Sequence, residues 1–219
     1  MDTYLFAKSS SGLPIYANTF KGGGKHVAVL AGVHGDEIEG IALAKALTLS
    51  LDENKKNDLS ITVVDCLNVD GFLARTRQNQ NGVDLNRNLP TKDWDKKAFN
   101  ERYNPGDFPN SEEENKHLVN FIERTKIDFI ISLHSFKRTL LNVNGNCSPM
   151  SGILHDMTGL PIEDSMGYPT PGCLGTYAGL ERGIPTITYE LERGSDLSLL
   201  VPTHLEALLQ SFFLFDKSR

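Results

Sequence analysis

Cysteine is scarce in this sequence of 219 residues. Its three cysteines, Cys66, Cys147 and Cys173, are odd in number and widely spaced, which fits reduced thiols better than a disulfide framework. None of them has the pair spacing of a zinc ribbon. The cysteines therefore argue against a disulfide-stabilised secreted fold and against a structural zinc site built on thiolates.

Basic charge and long apolar runs are also scarce. Lysine and arginine number 22 against 28 acidic residues, a net charge of −6 without a basic stripe, so we expect no nucleic-acid partner. No stretch approaches the roughly 20 apolar residues of a membrane span, and the N-terminus lacks the features of a signal peptide. With Met1 taken as the native start, we expect a cytoplasmic protein without a membrane partner. The sequence carries no decisive signal for an oligomeric state.

Apolar runs of strand length alternate along the chain with segments of helical periodicity. Strands are predicted at residues 4–8, 13–20, 26–32, 59–67, 127–133 and 184–191, and helices at residues 36–50, 111–125, 148–160 and 201–215. We expect Ser111 to cap the second helix, and Pro185 suggests that the last strand enters at an edge or a bulge. This order predicts a single α/β domain over residues 1–219, a mixed, mostly parallel twisted sheet flanked by helices.

Two histidines follow predicted buried strands. His34 and Glu37 lie in the turn after residues 26–32, and His134 comes at the end of residues 127–133. Ligands bind beyond the carboxyl ends of strands in such sheets. Two histidines and one carboxylate are the ligand set of a catalytic zinc, with a fourth position open for water. The alternatives are a turn histidine, a solvated helix glutamate and a histidine packed in the core.

The long polar segment at residues 68–108 is dense in arginine and asparagine. A compact domain rarely holds so long an irregular stretch unless it is functional. This segment contains Gly82-Val-Asp84-Leu-Asn86-Arg87-Asn88, and a later strand carries Thr188-Tyr-Glu190-Leu. Together with His34-Gly-Asp-Glu37 and His134, these strings resemble the zinc carboxypeptidase family in the right order over nearly the whole chain. The resemblance implies a carboxypeptidase-like fold and a peptide-hydrolysing enzyme.

Within that family the chain resembles a short bacterial branch, the murein peptide amidases. This resemblance rests on the length of the chain, on the continuation of the asparagine-arginine string to Pro90, and on the segment Gly167-Tyr-Pro-Thr-Pro-Gly172. It implies a zinc-dependent amidase of cell-wall peptide recycling that hydrolyses the bond between γ-D-glutamate and meso-diaminopimelate. The alternative is a metallocarboxypeptidase or an N-acyl amino acid deacylase that acts on other small peptides. A non-catalytic zinc- or peptide-binding domain is disfavoured because every motif residue is present.

The family resemblance also implies the metal site. His34, Glu37 and His134 would hold one zinc ion per chain. Asp84 would lie behind His34, accept its other ring N–H and fix its tautomer. An Asx turn within the loop is the alternative role for Asp84.

Two further residues would perform the chemistry. Glu190 would be the general base, which takes a proton from the attacking water and returns it to the leaving amine. Glu192 lies on the same strand face and could compete for this role. Arg77 would polarise the scissile carbonyl, with Arg75 as the alternative.

Three residues would bind a small peptide through its free C-terminal carboxylate. Arg87 would pair with that carboxylate, although an ion pair with a loop acid is the alternative, and Asn86 would add a donor. Tyr168 would cover the bound carboxylate, with Tyr177 as a competitor.

Selection among peptides would fall to the pocket that receives the C-terminal residue. Diaminopimelate carries a second amine and a second carboxylate at its far end, so its pocket needs both a cation and an anion. Trp94 and Phe99 could line such a pocket. The charged candidates are Lys137, Arg138, Glu163 and Asp164.

Overall fold

A computed structural model describes residues 1–54, 58–98 and 100–217. Phe99, a candidate for the specificity pocket, lies outside the described residues. Within them, eight strands form one sheet: β1 Asp2–Lys8, β2 Pro14–Phe20, β3 His26–Ala31, β4 Ser60–Val64, β5 Phe129–Phe136, β6 Leu140–Asn144, β7 Ile162–Glu163 and β8 Thr186–Glu192. Their spatial order is β1-β2-β4-β3-β5-β8-β6-β7.

The middle of the sheet is parallel, and antiparallel pairs flank it on both sides. β3 pairs in parallel with β4 and β5, and β5 pairs in parallel with β8. β1 pairs antiparallel with β2, β2 with β4, and β6 with β8, whereas β7 runs parallel to β6. The mixed, mostly parallel sheet expected from the sequence is therefore confirmed.

Helices cover both faces of this sheet. In the described ranges the α-helices are α1 Ile38–Asn54, α2 Val69–Ala74, α3 Glu113–Arg124, α4 Met150–Thr158 and α5 Leu197–Lys217. Shorter helical turns lie at Leu85–Arg87, Glu101–Tyr103 and Gly175–Leu180. α1, α4 and α5 pack on one face and α3 on the other.

Strand β3 shows how the sequence produces this layering. Val27 and Val29 point into the core beneath α1, α4 and α5, while Ala28 and Leu30 point into the core beneath α3. Successive side chains of a strand alternate between faces. A strand that is covered on both faces is apolar at every position, which explains the unbroken apolar run seen in the sequence.

The structure corrects two local expectations. β8 lies between β5 and β6, inside the sheet and not at an edge, and Pro185 precedes its first residue. Glu112, not Ser111, occupies the N-cap position of α3, and it makes no side-chain cap bond. The Ser111 hydroxyl instead accepts a hydrogen bond from Asn88 Nδ2 at 2.9 Å. β6 and α2 were not predicted from the sequence.

Helix α5 is more apolar than the sequence expectation allowed. Its 21 residues are long and apolar enough to cross a membrane by length and composition alone, whereas no stretch of this kind was expected. Leu200, Ala207, Leu208 and Phe212 of this helix are buried in the core. Packing on the sheet and on α1 and α4 therefore accounts for the buried part of its apolar surface, whereas Leu199 and Leu214 of the same helix are exposed.

Candidate active site

Two glycines bring the turn after β3 against its neighbours. A Cβ on Gly35 would lie 2.0 Å from the carbonyl carbon of Gly71, so the turn meets α2 backbone to backbone. A Cβ on Gly40 would lie 2.7 Å from the carbonyl oxygen of Leu133, so the start of α1 rests directly on β5. This close packing holds the turn that carries His34 and Glu37 beside the end of β5.

The side chains of His34, Glu37 and His134 are buried and bring three possible metal-ligating atoms together at this point. We call these three residues the donor cluster. His34 Nδ1 lies 2.9 Å from Glu37 Oε1, His134 Nδ1 lies 2.9 Å from Glu37 Oε2, and the two Nδ1 atoms lie 3.1 Å apart. The three side chains are almost fully shielded from solvent. The structure thus brings the three predicted ligands together as a possible metal site.

The outer nitrogens of both rings are also bonded. His34 Nε2 lies 3.1 Å from Asp84 Oδ1, and His134 Nε2 lies 3.0 Å from Ser132 Oγ. A carboxylate accepts hydrogen bonds only, so Asp84 takes the N–H of His34 and leaves Nδ1 as a lone-pair donor. Burial alone would raise the pKa of Asp84, but the neighbouring His34 ring and the Arg77 guanidinium hold it well below its usual range.

The donor set fits zinc. Tetrahedral coordination at about 2.0–2.1 Å separates the ligand atoms by about 3.3 Å, close to the spacing of the three donors here. The nitrogen lone pairs and the carboxylate would repel one another at this distance without a cation or a proton between them. Burial would raise the pKa of Glu37, yet His34 and His134 hold it well below its usual range, so the carboxylate is an anionic ligand.

Glu190 lies two residues before the end of β8, beside this cluster. It is the register partner of His134 across the parallel β5–β8 pair, and it lines the same small cavity as His34 and Glu37. Its burial, with a further contribution from the Glu37 charge, raises the pKa of Glu190 to about 7 against the opposing effect of His134. Glu192 is exposed and accepts a hydrogen bond from Ser195 Oγ at 3.0 Å, so the geometry favours Glu190 over its competitor.

The structure also separates the two candidate arginines. Arg77 donates from Nε to Asp84 Oδ2 at 2.9 Å and from Nη1 to Glu37 Oε1 at 3.3 Å. Its guanidinium carbon lies 5.2 Å from the centre of the Tyr103 ring. Arg75 is exposed at the end of α2, with a left-handed φ of 57°. The geometry therefore places Arg77, and not Arg75, at the cluster.

Arg87 and Tyr168 share the entrance to the site. The Arg87 guanidinium carbon lies 5.4 Å from the Tyr103 ring centre, and its Nη1 donates to the Asn86 carbonyl at 2.7 Å. Tyr168 is 40% exposed and lines the cavity with Arg87. Tyr177 is fully buried and donates its hydroxyl to Glu123, so the structure places Tyr168, and not its competitor, at the site.

Asn86 has a positioning contact that the sequence did not indicate. Its side-chain oxygen accepts a hydrogen bond from the Leu174 backbone at 2.9 Å, and its own backbone donates to Asp84 Oδ1 at 2.9 Å. Asn86 thereby links the loop that carries Arg87 to the segment after Tyr168. It also lines the small cavity, where it can contact a ligand.

Two cavities meet at the entrance. A small cavity of about 40 Å³ is lined by His34, Glu37 and Glu190, and a larger one of about 580 Å³ lies beside it. Arg87, Phe136 and Tyr168 line both. Trp94 packs beneath Gly172 instead and does not line either cavity.

Sequence reasoning missed several residues of the site. Tyr103 supports both arginines, and Ser132 contacts His134. Ser132 shares a strand face with His134 because they are two residues apart, a signal that was present in the sequence. Tyr103 gave no such signal, since its loop has no periodicity from which a direction could be read.

Comparisons with known proteins agree with this geometry. A family model described as zinc carboxypeptidase matches residues 1–151. The murein peptide amidase A of Vibrio campbellii (strain ATCC BAA-1116) is 34% identical over 194 residues, which cover 83% of this chain and 75% of the relative. The murein peptide amidase A of Escherichia coli (strain K12) is 31% identical over 160 residues, which cover 68% of this chain and 64% of the relative.

Solved structures show the same fold. The crystal structure of the murein-tripeptide amidase MpaA from Escherichia coli O157 superimposes with a TM-score of 0.79 at 26% identity, covering 100% of this chain and 93% of that one. Bovine thrombin-activatable fibrinolysis inhibitor, solved in complex with a tick carboxypeptidase inhibitor, superimposes with a TM-score of 0.80 at 19% identity, covering 99% and 89%. The second similarity concerns the fold alone.

Proposed function

Because this chain belongs to the zinc carboxypeptidase family and is a hydrolase, we propose that it hydrolyses the γ-D-glutamyl–meso-diaminopimelate bond of murein peptides. Two of its relatives carry the name murein peptide amidase A. The observation that carries the proposal is that His34, Glu37, Glu190 and Arg87 line one small cavity. His134 joins them through its Nδ1, which lies 2.9 Å from Glu37 Oε2. A metal, a base and a carboxylate anchor are the parts that removal of a C-terminal residue requires.

The metal would be one zinc ion per chain, held by His34, Glu37 and His134. Zinc supplies Lewis-acid chemistry at such a site, which polarises a carbonyl and activates water. Asp84 would keep the His34 ring oriented through its hydrogen bond to Nε2. The zinc content is measurable by elemental analysis of the purified protein.

Glu190 would transfer a proton from the attacking water to the leaving amine. A carboxylate with a pKa raised toward neutrality accepts a proton from the attacking water and releases it readily to the leaving amine. Arg77 would donate hydrogen bonds to the carbonyl oxygen as negative charge develops there. Glu37 and Asp84 already hold the Arg77 guanidinium in place, so little reorganisation is needed.

Arg87 would bind the free carboxylate of the C-terminal residue. Its planar guanidinium matches a carboxylate in a bidentate pair, and Tyr103 lies against it. Asn86 would add a hydrogen bond. Tyr168 would close over the bound carboxylate from the cavity entrance, where its exposure leaves it room to move.

The test is release of free diaminopimelate from L-Ala-γ-D-Glu-meso-diaminopimelate by the zinc-loaded protein, followed by mass spectrometry. We expect release that a chelator abolishes and added zinc restores. Absence of release from a protein with stoichiometric zinc would reject this substrate. Assays with peptides that carry other C-terminal residues and with N-acyl amino acids would then test the alternative activities.

We also propose that the protein works in the cytoplasm, in recycling of cell-wall peptides, without nucleic-acid or membrane partners. The acidic net charge and the three free cysteines support this location. Fractionation of cells that express the full-length gene product checks it. Recovery in the membrane or the periplasm would contradict the proposal.

A further inference from the structure

An ion pair borders the small cavity, and the mechanism proposed above does not use it. Arg138, in the turn between β5 and β6, donates from Nη2 to Glu163 Oε1 of β7 at 2.7 Å. Each partner also contacts a residue that lines the cavity. Arg138 Nη1 lies 3.5 Å from the Met166 carbonyl, and the Glu163 carbonyl accepts from Asn142 Nδ2 at 3.2 Å. The pair therefore lies one residue outside the cavity wall.

Among the residues that the structure describes, those that line the cavity wall on this side are uncharged. Apart from the groups assigned to metal binding, catalysis and carboxylate binding, its polar and sulfur-containing lining residues are Asn142, Met166, Thr170, Cys173 and Thr188. A C-terminal residue with a charged end would find hydrogen-bonding groups along this wall but no opposite charge. Beyond Asn142 and Met166 lie the cation and the anion of the Arg138–Glu163 pair.

We propose that Arg138 and Glu163 recognise the distal amino-acid group of the substrate's C-terminal residue, an inference that rests on the proposed function. This distal group is a zwitterion, with one ammonium and one carboxylate on the same carbon. Arg138 would bind the carboxylate and Glu163 the ammonium. The pair would thus select a C-terminal diamino dicarboxylic acid over residues with one distal charge or none.

The chemistry of the pair allows it to bind the substrate without coming apart. A guanidinium has five N–H donors in a planar fork, so Arg138 can hold Glu163 and a substrate carboxylate together. A carboxylate accepts several hydrogen bonds through its two oxygens, so Glu163 can hold Arg138 and an ammonium together. The side chains are 50% and 35% exposed, and ion pairs this exposed contribute little to folding stability. Variants of either residue should therefore fold.

The test compares two peptides that differ by one group. L-Ala-γ-D-Glu-L-Lys equals the diaminopimelate tripeptide without its distal carboxylate. We expect Arg138→Gln to lower kcat/KM for the diaminopimelate peptide by about tenfold or more and to change the lysine peptide by less than about twofold. Glu163→Gln should lower kcat/KM for both peptides, since both keep the distal amine. Lys116→Gln, which breaks the exposed Lys116–Glu113 pair of α3, is the matched control and should change neither.

Two results would separate failure of this inference from failure of the proposed function. If the wild-type protein releases diaminopimelate but Arg138→Gln affects both peptides equally or neither, the pair does not recognise the distal carboxylate, and this inference alone is wrong. If the wild-type protein cleaves neither peptide, the proposed function is wrong and this inference falls with it.

Discussion

At the scale of single residues, Asp84 joins the parts of the site. Its Oδ1 contacts His34 Nε2 and the backbone of Asn86, and its Oδ2 accepts from Arg77. One carboxylate thus orients a metal ligand, the carbonyl-polarising arginine and the start of the substrate-binding turn. Because it is fully buried, its negative charge acts on these neighbours with little screening from water.

Asp84→Asn removes this charge while keeping a side chain of similar shape. We expect zinc affinity to fall by about 10–100-fold, because the asparagine amide no longer enforces the His34 tautomer. Competition with a zinc-binding dye measures the change. Asp107→Asn, at an exposed loop position paired with Lys96, is the control. Equal affinities in the two variants would show that Asp84 does not tune the metal site.

Glu190→Gln tests the proton-transfer role directly. We expect zinc to remain bound and kcat to fall by at least about 10²-fold, since an amide cannot accept the proton from water. Assay of the diaminopimelate peptide and elemental analysis of the same sample provide both measurements. Glu192→Gln should retain its activity, because Glu192 is exposed and outside the cavity. Substantial turnover by Glu190→Gln would show that another group is the base.

The sequence alone could not separate these paired candidates. Glu190 and Glu192 lie on the same strand face, so alternation predicts the same direction for both. They differ only in burial, because Glu190 is buried and Glu192 is exposed. Arg75 and Arg77 lie in a segment without periodicity. They have different surroundings because Arg75 itself ends α2 with a left-handed backbone conformation. Burial depth and loop conformation depend on distant contacts, which local sequence does not record.

At the scale of secondary-structure elements, the start of α1 determines where Glu37 lies. α1 rests on β5 through Gly40, which leaves room for the backbone of Leu133. The apolar strands and this helix were predictable because burial imposes clear patterns on their sequences. β6 was missed because Leu140–Asn144 is short and contains two asparagines. The internal position of β8 was missed because Pro185 precedes the strand and so costs it no ladder hydrogen bond.

Gly40→Ala tests the close approach of α1 to β5. We expect the free energy of unfolding to fall by about 1–3 kcal/mol, because the new methyl group would lie 2.7 Å from the Leu133 carbonyl oxygen. Urea denaturation measures the change. Gly152→Ala in α4 is the control. Among the described residues, no atom beyond its chain neighbours and its own helix backbone lies within 4 Å of the position that a Cβ would take, so the same substitution should stabilise by about 0.5–1 kcal/mol. A stabilised Gly40→Ala would contradict the packing argument.

At the scale of the whole molecule, the metal would link separate parts of the sheet. Two of its ligands, His34 and Glu37, lie in the turn between β3 and α1, and the third, His134, lies in β5. In the protein without metal, the ligand atoms of the three buried side chains lie about 3 Å apart, and only protons offset the repulsion between them. A bound cation therefore stabilises the folded state relative to the unfolded chain, which cannot assemble the cluster.

Removal of zinc should lower the thermal midpoint of unfolding. At a zinc concentration about 100-fold above Kd, we expect a shift of about 5–10 °C between the loaded and the chelated protein. Differential scanning calorimetry with and without chelator measures it, and added zinc should restore the midpoint. His134→Ala, which lacks a ligand, should show a much smaller shift. Equal midpoints for loaded and metal-free wild-type protein would contradict a stabilising site.

The pairing of His134 with Glu190 across β5 and β8 has a consequence for how such a protein can diverge. Neighbouring strands lie about 4.8 Å apart wherever they are hydrogen-bonded, so the backbone separation between the proposed ligand and the proposed base follows from the register itself. Arg138, Glu163 and Tyr168 lie in connecting turns and at the short edge strand β7. Substitutions there can alter which peptide is accepted while the reacting groups keep their spacing. Selectivity can therefore change during divergence without a change in the catalytic geometry.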